Sequence, residues 1–220
     1  MELLRDPGLY RKGRTLLTEN LCPGQTVYGE ELEIDGDREF RHFDPFHSKL
    51  AAYVAKGGKE WPFGHIHNLL YLGAGSGTTV SHISDILPKA RLYAVERFPR
   101  PFASLLRLSQ KRANVYPVLS DAQLPERYRS IHGEVDMIYQ DVSQRNQVQI
   151  LLENVQSALN PHGWIMLQLK TRSITQREAP RAVLKTARSE LENEGMKVID
   201  VVDLTPFSRD HYCLVLQMGT

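Results

Sequence analysis

The chain of 220 residues is long enough for one α/β body with an apolar core and a small appendage, and too short for two full domains. Its 41% apolar and 24% charged residues exclude a disordered or fibrous chain, and a formal net charge of +1 lacks the footprint of a strongly basic nucleic-acid-binding domain. Cys22 and Cys213 form no CxxC pair, the eight histidines fall in no metal-ligand spacing, and neither a leader nor a membrane-length apolar run is visible, so a metal-free protein of the reducing cytoplasm is expected.

Residues 1–43 are expected to form a small N-terminal β subdomain. Thr26-Val27-Tyr28-Gly29 and Leu32-Glu33-Ile34-Asp35-Gly36-Asp37 alternate apolar with polar positions and end in turn residues, which predicts short antiparallel strands. The larger unit, 44–220, opens with Asp44 as an N-cap and Pro45 in the first turn. Phe46, Leu50, Tyr53 and Val54 then recur at helical spacing until Gly57-Gly58. Lys49 falls beside that apolar stripe, from where its amine can reach around the edge of the core.

From residue 68 strands and helices alternate. The pattern predicts strands at 68–73, 91–95, 114–119, 135–140, 164–169, 197–204 and 212–218, with helices at 79–87, 101–111, 148–159 and 180–194. Alternation of this kind makes a mostly parallel sheet covered on both faces. Residues 205–210 leave no room for a helix, so the last two strands must pair antiparallel. Seven strands with the final one reversed is the arrangement of class I methyltransferases. Between Arg91 and Arg129 eight cationic residues face only Glu96, Asp121 and Glu126, which reads as a solvated helix face.

The turn after the first strand of this series reads Gly73-Ala74-Gly75-Ser76-Gly77-Thr78-Thr79, and glycines there let backbone approach a ligand closely. Glu96 follows the second strand, where a carboxylate can accept both hydroxyls of an adenosine ribose. Asp121-Ala122 follows the third, where Asp121 can accept from the adenine amine. A dinucleotide-binding enzyme shares the first two features. The GxGxG spacing, in place of GxGxxG, and the reversed last strand favour methyl over hydride transfer.

Asp141, Lys170 and His211 stand at strand ends on the edge where ligands bind in open α/β sheets. Lys170 emerges from an apolar strand and needs a counter-charge, for which Asp141 on the neighbouring strand is the expected partner; a structural ion pair closing the sheet is the other use of the same residues. A carboxylate beside ammonium groups can orient a hydroxyl, accept its proton and stabilise developing oxyanion charge. The amine-acceptor motif Asn/Asp-Pro-Pro-aromatic is replaced here by Asp141-Val142-Ser143-Gln144. An alcohol acceptor fits better.

The blocks DPFHSKLAAYVAKG, YLGAGSGTTVSHISDI, MIYQDVSQ, LKTRSIT and RDHYCLVL, in this order, resemble the short archaeal form of fibrillarin over essentially the whole chain. The resemblance implies an S-adenosylmethionine-dependent RNA ribose 2′-O-methyltransferase acting on rRNA or tRNA, with Lys49, Asp141, Lys170 and His211 as its catalytic constellation. It implies that Gly73, Ala74, Gly75, Thr78, Thr79, Glu96, Asp121, Ala122, Asp141 and Gln144 surround the cofactor, as do Gly77 within the same glycine turn and Phe98 after Glu96. The implied partners are a box C/D guide RNA with its target RNA, a Nop-domain scaffold protein and a kink-turn-binding ribosomal-type protein. Partners that raise effective concentration explain why the chain need not be strongly basic. Three positions depart from the family pattern. Arg97 stands where an aromatic commonly follows the ribose-binding Glu, with Phe98 one place later, and Gln140 and Gln168 replace apolar strand residues, which suggests a more polar pocket wall. A protein side chain or small molecule as acceptor, and an inactive assembly subunit, are the competing readings.

Overall fold

In the computed structural model, which describes residues 1–219, five short strands open the chain. These are β1 (Glu2–Arg5), β2 (Leu9–Lys12), β3 (Thr15–Glu19), β4 (Leu32–Asp35) and β5 (Arg38–His42), all antiparallel in the order β1-β2-β3-β5-β4. Residues 26–29, expected as a strand, form none. The N–H groups of Val27 and Tyr28 donate to the Glu30 carboxylate at 2.8–3.0 Å, and this turns the chain instead.

Helix α1 runs Lys49–Ala55 and starts one turn later than expected. Asp44 does cap a turn, because its carboxylate accepts from the Phe46 N–H at 2.9 Å, but the helix proper begins after Ser48. Phe46 therefore stays outside the helix, 67% exposed, with its ring edge-on to Phe207. The chain continues through β6 (Asn68–Leu72), α2 (Thr78–Ile86), β7 (Arg91–Glu96), α3 (Pro99–Ser109), β8 (Val115–Leu119) and α4 (Arg129–His132). Then follow β9 (Val135–Gln140), α5 (Gln147–Ala158), β10 (Leu159–Lys170), α6 (Thr171–Ile174), α7 (Pro180–Asn193), β11 (Met196–Asp203) and β12 (His211–Met218). Strand β10 begins five residues before its expected start. Leu159 already pairs with Val135, and the ladder resumes at Trp164 opposite Met137 after an irregularity that carries His162 at φ 61°.

The seven later strands form one sheet in the order β11-β12-β10-β9-β6-β7-β8, in which only β12 runs antiparallel to its neighbours. Alternate side chains feed two apolar layers. Leu69, Tyr71, Met137, Tyr139 and Met166 join the layer that also contains Leu50 of α1 and Ile83 of α2, while Leu70, Leu72, Ile138 and Leu167 join the layer with Leu151 of α5 and Leu191 of α7. Both faces are covered, so β6 and β9 read as near-continuous apolar runs. The chain winds outward from β6 to β8 and then returns to β9 on the other side of β6. That reversal opens a crevice at the carboxyl ends of β6 and β9. No helix is long and apolar enough to cross a membrane among the described residues.

The N-terminal sheet is tied to α2 by a buried ionic network. The fully buried Arg41 donates to Glu30 at 2.7 Å, to Asp85 at 2.7 Å and to Ser81 at 2.9 Å. Asp85 also takes Arg112 at 2.5 Å, the Thr18 hydroxyl at 2.9 Å and the Leu21 N–H at 3.1 Å. His82 sits between the Thr18 and Tyr28 hydroxyls, at 2.8 and 2.9 Å. Burial pushes its imidazole well below the usual 6.5, and Arg41 and Arg112 push it the same way. Since the Thr18 hydroxyl gives its proton to Asp85, the ring donates through Nδ1 to the Thr18 oxygen.

Two outcomes follow from this network. Asp85→Ala leaves two buried guanidiniums short of counter-charge and should cost about 3–5 kcal/mol, whereas Glu192→Ala, which removes the exposed Arg188 pair on α7, should cost under about 1 kcal/mol. Denaturant melts of the two variants compare these directly. Because folded His82 rejects a proton that the unfolded chain accepts, stability should fall as pH drops below 6.5, by about 1.4 kcal/mol per pH unit. The His82→Gln chain should lose the His82 share of this slope between about pH 6.5 and 5.5, above the range where carboxylates titrate, and keep the share of His132 and His211, whose pKa burial also lowers.

Candidate active site

The reversal point brings two strand ends into contact. The Asp141 N–H donates to the Leu72 carbonyl at 2.8 Å, and a Cβ on Gly73, at φ 80°, would stand 2.5 Å from the Asp141 carbonyl oxygen. Only glycine fits there. Gly77 has a different reason. At φ 94° it lets the chain enter α2, and a Cβ would strike Leu108 of α3 at 2.6 Å. Gly77 thus fits the turn against α3 and does not face the cleft.

A cleft of about 410 Å³ opens over this turn. It brings together the expected Gly73, Gly75, Glu96, Phe98, Ala122, Asp141 and Gln144, and adds Val95, Arg97, Pro101, Ser120, Val142 and Ser143. Ala74, Gly77, Thr78, Thr79 and Asp121 lie beside it without lining it; Thr79, for instance, shares a 3.0 Å hydrogen bond with Ser48 just before α1. Glu96 is held rigidly, with one carboxylate oxygen accepting from the Gly75 N–H at 2.8 Å and the other from the Phe98 N–H at 2.7 Å. Its remaining lone pairs are available to a diol. Such a carboxylate above an open glycine turn fits an adenosine ribose.

At the far end, Asp121 accepts from the Gln123 N–H at 3.1 Å and pairs with Arg97 at 3.2 Å. Burial pushes its carboxyl upward, but the Gln123 N–H, the Gln144 amide and the Arg97 guanidinium outweigh that and hold it below the usual range. Asp121 is already engaged by Arg97, whose guanidinium also lies 5.1 Å from the centre of the Phe98 ring. The departure from an aromatic at 97 therefore places a cation between the acid and the ring.

The acid at the reversal point finds a different partner from the one expected. Lys49, from the first turn of α1, donates to Asp141 Oδ2 at 2.8 Å, and both side chains are mostly buried. Lys170 has no carboxylate within ion-pair distance among the described residues. It lies directly opposite His211 in the β10–β12 ladder. His211 is 8% exposed and donates through Nδ1 to the Arg209 carbonyl at 2.7 Å, which leaves Nε2 as an acceptor. Burial lowers its pKa; Lys49 and Lys170 push the same way, against Asp141 and the Arg209 carbonyl. Four chain segments thus converge on one acid, two amines and a neutral imidazole.

Gln147, which no sequence feature had singled out, holds this edge together. Its side chain is fully buried, accepts from the Lys170 N–H at 2.9 Å, and donates to the carbonyls of Lys170 and Gln144 at 3.0 and 3.1 Å. The signal available was a polar residue on the inward side of the stripe Val148, Leu151 and Val155, within one turn of its start. Gln140 and Gln168 do not form a pocket wall. Both are fully buried beneath the site, where Gln140 donates to the Gln147 carbonyl at 2.6 Å and Gln168 to the Cys213 sulfur at 3.3 Å.

Comparison with known proteins identifies the family. The fibrillarin family model matches residues 8–220. The fibrillarin-like rRNA/tRNA 2′-O-methyltransferase of Thermoplasma acidophilum is 42% identical over 208 residues, covering 94% of this chain and 88% of that relative. Among solved structures, Aeropyrum pernix fibrillarin with natively bound S-adenosyl-L-methionine superposes with a TM-score of 0.85 at 40% identity, covering 92% of this chain and 88% of that one. A fibrillarin in complex with Nop5p gives a TM-score of 0.88 at 37% identity, over 97% and 98%. Matched by the family model over nearly its whole length and by relatives at about 40% identity, the chain belongs to the fibrillarin family.

Proposed function

We propose that this chain transfers a methyl group from S-adenosylmethionine to the ribose 2′-hydroxyl of rRNA or tRNA, as the catalytic subunit of a box C/D guide ribonucleoprotein. The observation that carries the reading is the pairing of Lys49 with Asp141, which lines the cleft, with Lys170 and His211 beside it. The relatives' activity, the cofactor in the Aeropyrum structure and the Nop5p complex support it.

When bound, S-adenosylmethionine supplies an electrophilic methyl group. Glu96 would hold the ribose of this cofactor, and the glycine turn, Ala122 and Gln144 would line its adenosine end. The residues of the chain act on the acceptor. Asp141 offers Oδ1, free of the bond that Oδ2 makes to Lys49, as the atom that orients the hydroxyl and takes its proton. Lys49 fixes the carboxylate, while Lys170 places positive charge where the sugar oxygen becomes negative. His211, neutral and donating to Arg209, can accept a hydrogen bond at Nε2 from a neighbouring hydroxyl. A Nop-domain scaffold, a kink-turn-binding protein and a guide RNA deliver the target, and the work is cytoplasmic.

Asp141→Ala and Lys170→Ala should each lower methyl transfer to guided RNA by about a hundredfold or more while S-adenosylhomocysteine still binds. Glu96→Gln should behave oppositely, weakening that ligand by about tenfold to a hundredfold in calorimetry with turnover recoverable at high cofactor. Labelled methyl from the cofactor should become nuclease-sensitive and stay protease-resistant in the reconstituted complex; label in protein instead would overturn the RNA assignment.

A further inference from the structure

The cleft explains how a cofactor and a hydroxyl meet, but not what holds the strand on either side of that hydroxyl. Immediately beyond Lys170 the chain forms α6 and the loop 175–178, which with the β9–α5 loop enclose a second groove of about 600 Å³. It lies on the same sheet edge as the site. Ser143 and Gln144 line the cofactor cleft, and Arg145, the next residue, lines this groove; Lys170 lies two residues before Arg172, which also lines it.

Three arginines, Arg145, Arg172 and Arg177, line the groove against one acid, Glu178. All three are exposed. Among the described residues, the only carboxylate within 4 Å of any of their guanidiniums is Asp210, at 3.8 Å from Arg172. This imbalance stands out in a chain with a net charge of +1, whose buried arginines are fully paired. Backbone carbonyls orient the guanidiniums: Arg145 Nε donates to Ile174 at 3.3 Å, and Arg172 Nη1 to Gln176 at 3.0 Å and Glu178 at 3.3 Å. Each keeps further N–H groups for a ligand, in the planar fork that fits a phosphate.

We propose that this groove grips the phosphodiester backbone of the target RNA strand beside the ribose presented to Asp141 and Lys170. The inference rests on the RNA ribose reading above and adds the surface that holds the strand. An A-form duplex displays its 2′-hydroxyls in a wide, shallow minor groove bordered by phosphates, so a protein that reaches the hydroxyl there meets the neighbouring phosphates at its rim. Phosphate contacts of this kind set register without reading sequence, which suits an enzyme whose target is selected by base pairing.

The test uses the full chain assembled with scaffold, kink-turn protein and guide RNA, and a short complementary target RNA titrated at several salt concentrations. Arg145→Ala/Arg177→Ala leaves Arg172, which also braces the loop, in place. The double variant should raise the KM for target RNA and flatten the dependence of log KM on log salt by about 0.7–0.9 for each phosphate no longer gripped. Turnover at saturating RNA and the affinity for S-adenosylhomocysteine should match the unaltered protein. Unchanged KM and salt slope would overturn the groove assignment while leaving the methyltransferase reading intact. Loss of scaffold binding with an unchanged salt slope would also overturn it, by assigning the groove to the scaffold. An unaltered complex that methylates no RNA would bring down the proposed function and this inference together.

Discussion

The contact between the Gly73 backbone and the Asp141 carbonyl is the constraint from which the rest of the site follows. Strand order reverses between β6 and β9, so these two ends are neighbours in space although 68 positions separate them in sequence. With no side chain at Gly73, the two strands close up. The glycine turn then lies beside the acid, and anything seated over the turn faces that carboxylate. A side chain at 73 would push cofactor cleft and acid apart together.

Two supports keep this arrangement stiff. On one side α2 leads out of the glycine turn and is fastened through Ser81, His82 and Asp85 to the N-terminal sheet, by charges buried among one another. Such a network adds little to stability compared with well-fitted apolar residues, yet removing one partner is expensive, so it acts mainly to fix α2 in a single position. On the other side Gln147 fastens the end of β10 to the loop that follows β9. Lys170 and Gln144 are thereby placed by the same side chain.

Strand and helix order was legible because each segment of the large sheet is a short apolar run bounded by turn residues, and because 205–210 is too short for a crossover. The reversed β12 followed from that length alone. Less of the site could be read. Asp141, Lys170 and His211 declare themselves as polar groups at the ends of apolar strands, but which of them pairs depends on how far α1 swings toward the sheet. That distance is tertiary, and it gives Asp141 to Lys49. The Arg97–Asp121 pair was hidden for the same reason, since it joins two strand ends that no spacing links. Residues 26–29 show the complementary failure: alternation suggested a strand, and a single carboxylate capturing two N–H groups redirected the backbone.

The insertion of β12 between β10 and β11 bears on how the chain comes into being. Its two neighbours leave the ribosome earlier and lie apart until it arrives, each with an unpaired edge, so β11 has no place in the sheet while the nascent chain is still short of its last strand. His211 is the first residue of that strand, and it sits beside Lys170 only after the ladder has zipped. Completion of the architecture and the meeting of His211 with Lys170 are one event, so a polypeptide that ends before its last strand could not bring the two together.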